Sequence, residues 1–302
     1  MSAKNVRDGA EPMFLCINLR RLAVTGMTVV SLCLFILVLS RKTAAAFLPS
    51  ETEERVFLPV IMYHSILSEP SRQGDYVVSP EVLEADLKYL HDNGYETVLV
   101  KDLAAYIERD IPLPEKPVMI TLDDGYYNNV TYLMPLLEKY DMQAIISVVG
   151  SYTERFSQAD EHQPAYSHLT WQDISELAAT GRIEIGNHSY DIHSANSRKG
   201  CKKLANESEE EYYNILYEDV NRLQTELYEK AGVRSVTFAY PYGYICDESE
   251  DVLRDCGIIC TLNCYEKPNY ITKDIGCLYD MNRYNRPSGI STEAFMKRAL
   301  NG

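Results

Sequence analysis

An α/β fold, with parallel strands alternating with covering helices, is what the sequence predicts from residue 56 onward. Three observations carry it. Short apolar runs of strand type alternate with amphipathic stretches of helical period. About 250 residues follow the N-terminal segment, a size suited to a barrel of strands and helices. The chemically capable side chains fall where strand-type runs end, which is where such folds place function.

Taken in order, "VFLPVIMYHSI" reads as the first strand, with His64 at its end. "SPEVLEADLKYLHDNG" reads as a helix with Ser79 as N-cap, Leu83, Leu87 and Leu90 on one face, and Gly94 at the stop. "YETVLV" is a strand, "KDLAAYIERD" a helix, and "PVMITL" a strand that runs into Asp123 and Asp124. "NVTYLMPLLEKYD" is a helix and "QAIISVVG" a strand. "TWQDISELAATG" is a helix capped by Thr170 and stopped by Gly181, and "RIEIGN" is a strand ending on His188. Residues 207–230 form the longest helix, with Leu216, Val220, Leu223 and Leu227 as its apolar stripe. "SVTFAY" is a strand that meets Pro241, Tyr242 and Gly243; "DESEDVLRDCG" is a helix and "IICTLNC" a strand.

The N-terminus divides into three pieces ahead of a main domain at 56–302. Residues 22–40 are 19 uncharged, mostly apolar residues. As a helix they span roughly 28 Å, close to a bilayer core. Lys4, Arg7, Arg20 and Arg21 in residues 1–21 favour a cytoplasmic N-terminus, so the sequence predicts a single-pass membrane anchor with the main domain outside the cell. Residues 41–55 read as a stalk. The "AAA" at 44–46 leaves a cleaved, secreted form as the alternative.

The net charge of −15 and the lack of a basic run in the main domain argue against a nucleic-acid partner. Cys201, Cys246, Cys256, Cys260, Cys264 and Cys277 lie in the exported part, where disulfides are permitted but cannot be paired from sequence. No CxxC pair suggests a structural zinc knot.

Two adjacent aspartates at the end of a buried strand repel each other, and a turn alone or a cation would account for them. His188 and His193 are five apart, about 140° on a helix, so only a loop leaving the strand could turn both toward one ion. One carboxylate with two imidazoles leaves coordination positions open, as catalytic divalent metals require. The second carboxylate is then placed to take a proton from water.

On these residues the sequence resembles the polysaccharide deacetylase family of carbohydrate esterases, over about residues 56–290. The resemblance implies a distorted (β/α) barrel of the NodB-homology type and an acetylated polysaccharide as substrate. "TLDDG" is similar to the family's first motif, which makes Asp123 the base and Asp124 a metal ligand. "HSYDIH" is similar to the second, which makes His188 and His193 ligands. "YPYG" is similar to the third, which makes Pro241 a substrate-site residue and gives the Tyr242 N–H to the oxyanion.

The histidine spacing, Ala239 in place of a motif arginine, and a tail "LYDMNRYNRPSG" without the late histidine motif all depart from the family pattern. Each is easier to place in the circularly permuted biofilm exopolysaccharide N-deacetylases. There "IMYHSI" supplies the general acid, His64, and Arg283 is the candidate for orienting Asp123, with Arg286 the other. Trp171 is a candidate for stacking on a sugar. Zinc is the default ion for His/His/Asp; cobalt, nickel and iron also fit. Alternatives are a non-catalytic glycan-binding wall protein on the same fold, or a deacetylase of an O-acetyl ester or small amide.

Overall fold

The structure, a computed structural model, describes residues 55–193 and 198–301. The expected segments 1–21, 22–40 and nearly all of 41–55 lie outside them. Among the described residues no helix is long and apolar enough to cross a membrane.

The main sheet has eight strands: β1 (Val60–Tyr63), β2 (Glu96–Thr97), β3 (Pro117–Leu122), β4 (Ala144–Val148), β5 (Ile183–Asn187), β6 (Thr237–Ala239), β7 (Cys260–Leu262) and β8 (Tyr284–Asn285). Their order is β7-β6-β5-β4-β3-β1-β8, with β2 also paired to β3, and every pairing is parallel. The sheet curls into a half-barrel. A single parallel bridge, Leu262 to Met281, links β7 to the segment that enters β8.

The helices are α1 (Pro80–Asp92), α2 (Val100–Arg109), α3 (Met134–Tyr140), α4 (Gly150–Ala159), α5 (Trp171–Ala179), α6 (Glu209–Ala231), α7 (Ser249–Asp255) and α8 (Thr292–Ala299). β3 and β4 are buried at every position, as strands covered on both faces must be. Alternate residues divide between two cores. Ile61, Val118, Ile120 and Ile146 pack outward with Leu83 and Leu87 of α1 and Ile174 of α5. Val60, Met119, Ile145 and Cys260 pack on the other face with Leu103 and Tyr106 of α2.

Caps set the helix ends. Ser79 Oγ accepts from the Val82 N–H and Pro80 opens α1, where its missing N–H is harmless. Ser208 and Glu211 form a capping box on α6, and Gly232 ends it at φ 70°.

Several expected elements differ. The first strand breaks into Val56–Phe57, β1 and Ser65–Ile66, because Pro59 has no N–H for a ladder. "YETVLV" keeps only two strand residues, since Leu99 already caps α2, its N–H donating to Asp102. The helix expected from Asn129 begins as a wide π turn over Asn129–Leu133, next to Pro135, which has no N–H to give the carbonyl four residues back. α4, β8 and α8 have no counterpart in the sequence reading. The six described cysteines are all free thiols.

Candidate active site

β3 delivers Asp123 and Asp124 into a tight turn. Asp124 has φ 69° and Gly125 φ 64°, both left-handed. Gly125 has no room for a side chain, because a Cβ would come within 2.9 Å of Val148 Cγ1. His168 Nδ1 donates to the Asp124 carbonyl at 2.8 Å, and the Leu169 N–H donates to the Gly125 carbonyl at 2.8 Å. The turn is thereby fixed from the segment ahead of α5.

The loop after β5 is wound more tightly still. Asn187 Oδ1 accepts from the Ser189 N–H at 2.8 Å, with Ser189 at φ 73°. Asp219 of α6 accepts from the N–H groups of Tyr190, Asp191 and Ile192 at 2.8, 2.8 and 3.1 Å. The His193 N–H donates to Ser189 Oγ at 3.1 Å. The result folds His193 back until its ring centroid is 5.0 Å from that of His188.

These turns bring three ligand atoms together. Asp124 Oδ1 lies 3.6 Å from His188 Nε2 and 3.2 Å from His193 Nε2. The three groups offer atoms all within 4.8 Å of one another. His188 donates its Nδ1 hydrogen to the Ala239 carbonyl at 2.7 Å, and burial holds its pKa below the usual histidine value. The neutral ring therefore turns a bare Nε2 lone pair toward a carboxylate.

Asp124 Oδ1 is buried and accepts no hydrogen bond; the His193 approach is close enough for an ion pair but is not aligned as a hydrogen bond. Burial pushes the Asp124 pKa up, but the facing imidazoles, His193 first, outweigh it and hold it well below the carboxylate range. An ordinary tetrahedral site with bonds of about 2.1 Å has ligand atoms about 3.4 Å apart. Observed separations of 3.2 and 3.6 Å straddle that value. The donor set fits a divalent cation.

Asp123 is not part of this set. Arg283 grips it through both oxygens, NH1 to Oδ1 at 2.7 Å and NH2 to Oδ2 at 2.8 Å. Arg283 Nε donates to the Asn263 carbonyl at 2.7 Å, which fixes the guanidinium plane. Burial would raise the Asp123 pKa, but the Arg283 charge overcomes it and keeps the carboxyl ionised. His64 sits opposite, its Nε2 3.9 Å from Asp123 Oδ2. Arg286, the other arginine considered for this role, instead pairs with Asp86.

The groups share one cleft of about 330 Å³, lined also by Met62, Tyr76, Tyr126, Cys264 and Asn285. Tyr242 forms part of its rim, 56 % exposed and left-handed at φ 59°. Its ring stacks on His193 at 4.8 Å and its hydroxyl donates to the His193 carbonyl at 2.5 Å.

Two expected substrate residues do not reach the cleft. Trp171 is 8 % exposed and belongs to the outer core, where its indole N–H is spent on Glu154 at 2.8 Å and Lys230 covers its ring. Pro241 is buried beneath Tyr242 against Gly200, so it shapes the turn and offers no surface to a sugar. His168 and Asp219, which hold the two turns, were not singled out from the sequence. Asp219 did carry a signal: an acid three residues from Leu216 and one from Val220 lies beside the apolar stripe of its helix.

Comparison with known proteins agrees with this geometry. The family model for polysaccharide deacetylases matches residues 110–260. YxkH of Bacillus subtilis (strain 168), a protein assigned to the polysaccharide deacetylases, is 31 % identical over 245 residues, 81 % of this chain and 77 % of that one. The poly-beta-1,6-N-acetyl-D-glucosamine N-deacetylase of Escherichia coli (strain K12) is 25 % identical over 202 residues; the match covers 61 % of this chain but 30 % of that protein's length. Among solved structures, the de-N-acetylase of Aggregatibacter actinomycetemcomitans superposes with a TM-score of 0.68 at 22 % identity, over 80 % of this chain and 100 % of that one, a likeness of fold. A curled parallel sheet with a carboxylate and two histidines at its strand ends thus coincides with a sequence match across the main domain, and the chain belongs to the polysaccharide deacetylase family of amide-bond hydrolases.

Proposed function

We propose that this chain removes N-acetyl groups from an N-acetylglucosamine-containing polysaccharide outside the cell, using a divalent cation held by Asp124, His188 and His193. The observation that carries the reading is the Asp123 carboxylate, kept ionised by Arg283 between that ligand cluster and His64 in one cleft. When bound, the cation acts as a Lewis acid toward the acetamide carbonyl and the attacking water. Asp123 takes the proton from that water as it attacks the carbonyl carbon. In this reading the backbone N–H of Tyr242 serves as a donor to the developing oxyanion, a contribution often worth about 3 kcal/mol. His64 gives a proton to the departing amine, so the products are acetate and a free amino sugar.

Zinc is the first ion to test, with cobalt, nickel and iron as the others the donor set accepts. Poly-β-1,6-N-acetylglucosamine is the first polymer to test, since the E. coli relative is named for it. Residues 22–40 serve in this reading as the membrane anchor, or as part of a signal peptide cleaved near 44–46; membrane fractionation and N-terminal sequencing of the mature protein separate the two.

The test is acetate release by the purified protein, with added divalent ions, from poly-N-acetylglucosamine, peptidoglycan and an O-acetylated xylan. Asp123→Asn is expected to lower the rate at least about 10³-fold while bound metal stays near wild type. Unchanged turnover in that variant would rule out Asp123 as the base, and release from xylan alone would move the chemistry from amide to ester.

A further inference from the structure

Besides Asp124 Oδ1, which faces the two metal-ligand imidazoles, two polar atoms of cleft residues are buried without a hydrogen-bond partner among the described residues: His64 Nδ1 and Asn285 Oδ1. Leaving either one unpaired is unfavourable, and two in one cleft is rare enough to need a reason. They are also complementary, because a ring nitrogen can donate and an amide oxygen can only accept.

The strands place them as neighbours. β8 runs beside β1 with Asn285 opposite Met62, and His64 lies two residues beyond Met62. Residues two apart on a strand face the same side, and Met62, His64 and Asn285 all line the cleft. For parallel strands about 4.8 Å apart and a two-residue offset, the Cα atoms of His64 and Asn285 lie about 8 Å apart. As placed, the two atoms are not hydrogen-bonded to each other; a side-chain rotation of the imidazole or one bridging water joins them across that span.

The amide orientation is settled by chemistry. Asn285 Nδ2 donates to the Asp75 carbonyl at 2.9 Å, and flipping the group would set two acceptors against each other. The oxygen is thereby the amide atom left without a partner. The next residue, Tyr76, closes on His64 edge-on at 4.8 Å, so the tie to Asp75 also steadies the ring's other neighbour.

We propose that Asn285 is the positioning residue for His64: its Oδ1 accepts the Nδ1 hydrogen and leaves Nε2 as the nitrogen that exchanges protons in the reaction. His64 Nε2 is the atom that faces Asp123 Oδ2, 3.9 Å away, so the contact aims the acid at the place where the amine departs. Without it the neutral ring is free to carry its hydrogen on Nε2, and the protonated ring is free to rotate. The inference rests on the deacetylase reading for the role of His64, but the contact itself does not.

The test compares Asn285→Leu with Asn285→Asp in the full chain. Both lose the amide donor to Asp75; only the leucine loses the acceptor facing His64. Two-bond proton–nitrogen NMR of histidine-labelled protein reads the tautomer, with His64→Gln identifying the signal. The expected result is a neutral His64 protonated on Nδ1 in wild type and in Asn285→Asp, and a tautomer mixture in Asn285→Leu. In turnover, Asn285→Leu is expected to lose about 10- to 100-fold in kcat with KM within about twofold, and Asn285→Asp to stay within about threefold. A wild-type His64 protonated on Nε2, or equal loss in both variants, overturns the proposal. If His64 is locked on Nδ1 in a wild type that releases no acetate from any polymer, the Asn285 contact stands and the deacetylase reading falls.

Discussion

Two arginines three residues apart, Arg283 and Arg286, each hold a buried aspartate, and the two pairs do different work. At Asp86 every acceptor position is filled. Arg286 reaches Oδ2 at 2.7 Å and Oδ1 at 3.2 Å, while the Tyr63 and Thr292 hydroxyls donate at 3.0 and 2.7 Å. At Asp123 the arginine occupies one edge of the carboxylate, and the remaining side opens on His64 and the cleft. The first pair is sealed and ties α1 and the start of α8 to the end of β8. The second leaves lone pairs available, which is what a base needs. The same ion pair is a clamp when saturated and a reactive group when left partly open.

Removing each arginine tests this most directly. Arg283→Met should lower kcat/KM by about 10²- to 10³-fold, because Asp123 loses the charge that keeps it ionised. Arg286→Met should leave the folded protein's turnover within about threefold, yet lower unfolding stability by about 3–5 kcal/mol, the usual result of stranding one partner of a buried pair. Comparable loss of turnover in the two variants would erase the distinction. Pairing Arg286→Met with Asp86→Leu should recover most of the stability, whereas Arg283→Met with Asp123→Leu should regain stability without activity. Urea titration and acetate release read both.

A smaller effect is expected at the neighbouring carboxylate. A cation at 100 times its dissociation constant stabilises by about 2.7 kcal/mol. Chelation should therefore lower the thermal midpoint of wild type but not of Asp124→Asn. An equal response in the two proteins would place any bound ion elsewhere.

The smallest effect concerns Glu184 of β5, a carboxyl with no arginine. Its pKa is raised, chiefly by burial, although Thr237 Oγ1 donates to it at 2.9 Å. The folded chain then keeps this proton above the ordinary value of 4.5, where the unfolded chain has released it. Stability from this group is complete below that pH and is lost as pH rises through the raised value. Glu184→Gln should remove that loss, so the gap between variant and wild-type stability should widen in the variant's favour as pH rises above about 4.5. Parallel curves would show that burial is not what sets this group.

Much of this was legible in the sequence because it is local. Runs such as "PVMITL" and "AIISV" declare buried strands, and Ser79 and Thr170 mark helix starts. The carboxylates and histidines were visible because they sit at the ends of those runs. What could not be read is contact over distance. Nothing near Arg283 distinguishes it from Arg286; only the register of β8 against β1 sends one to Asp123 and the other to Asp86. α4 escaped notice because it opens on Val149 and Gly150 with no side-chain cap. Its glycine is required by Tyr190, where a Cβ would lie 2.4 Å from the ring. Trp171 misled because an aromatic is equally good core and equally good platform, and the neighbours that decide, Glu154 and Lys230, come from other helices.

The bridge at Met281 has a consequence for how the protein reaches its native state. Asp123 and Arg283 are separated by 160 positions, and the segment that joins them is also the one that spans the gap between β7 and β1. Contacts of such long range form late, after loop-closure entropy has been overcome. A chain collapsed around β3, β4 and β5 could already own its three ion ligands and still have an unclamped base. Refolding should accordingly show metal capture ahead of the return of turnover, with the lag set by docking of the last strand.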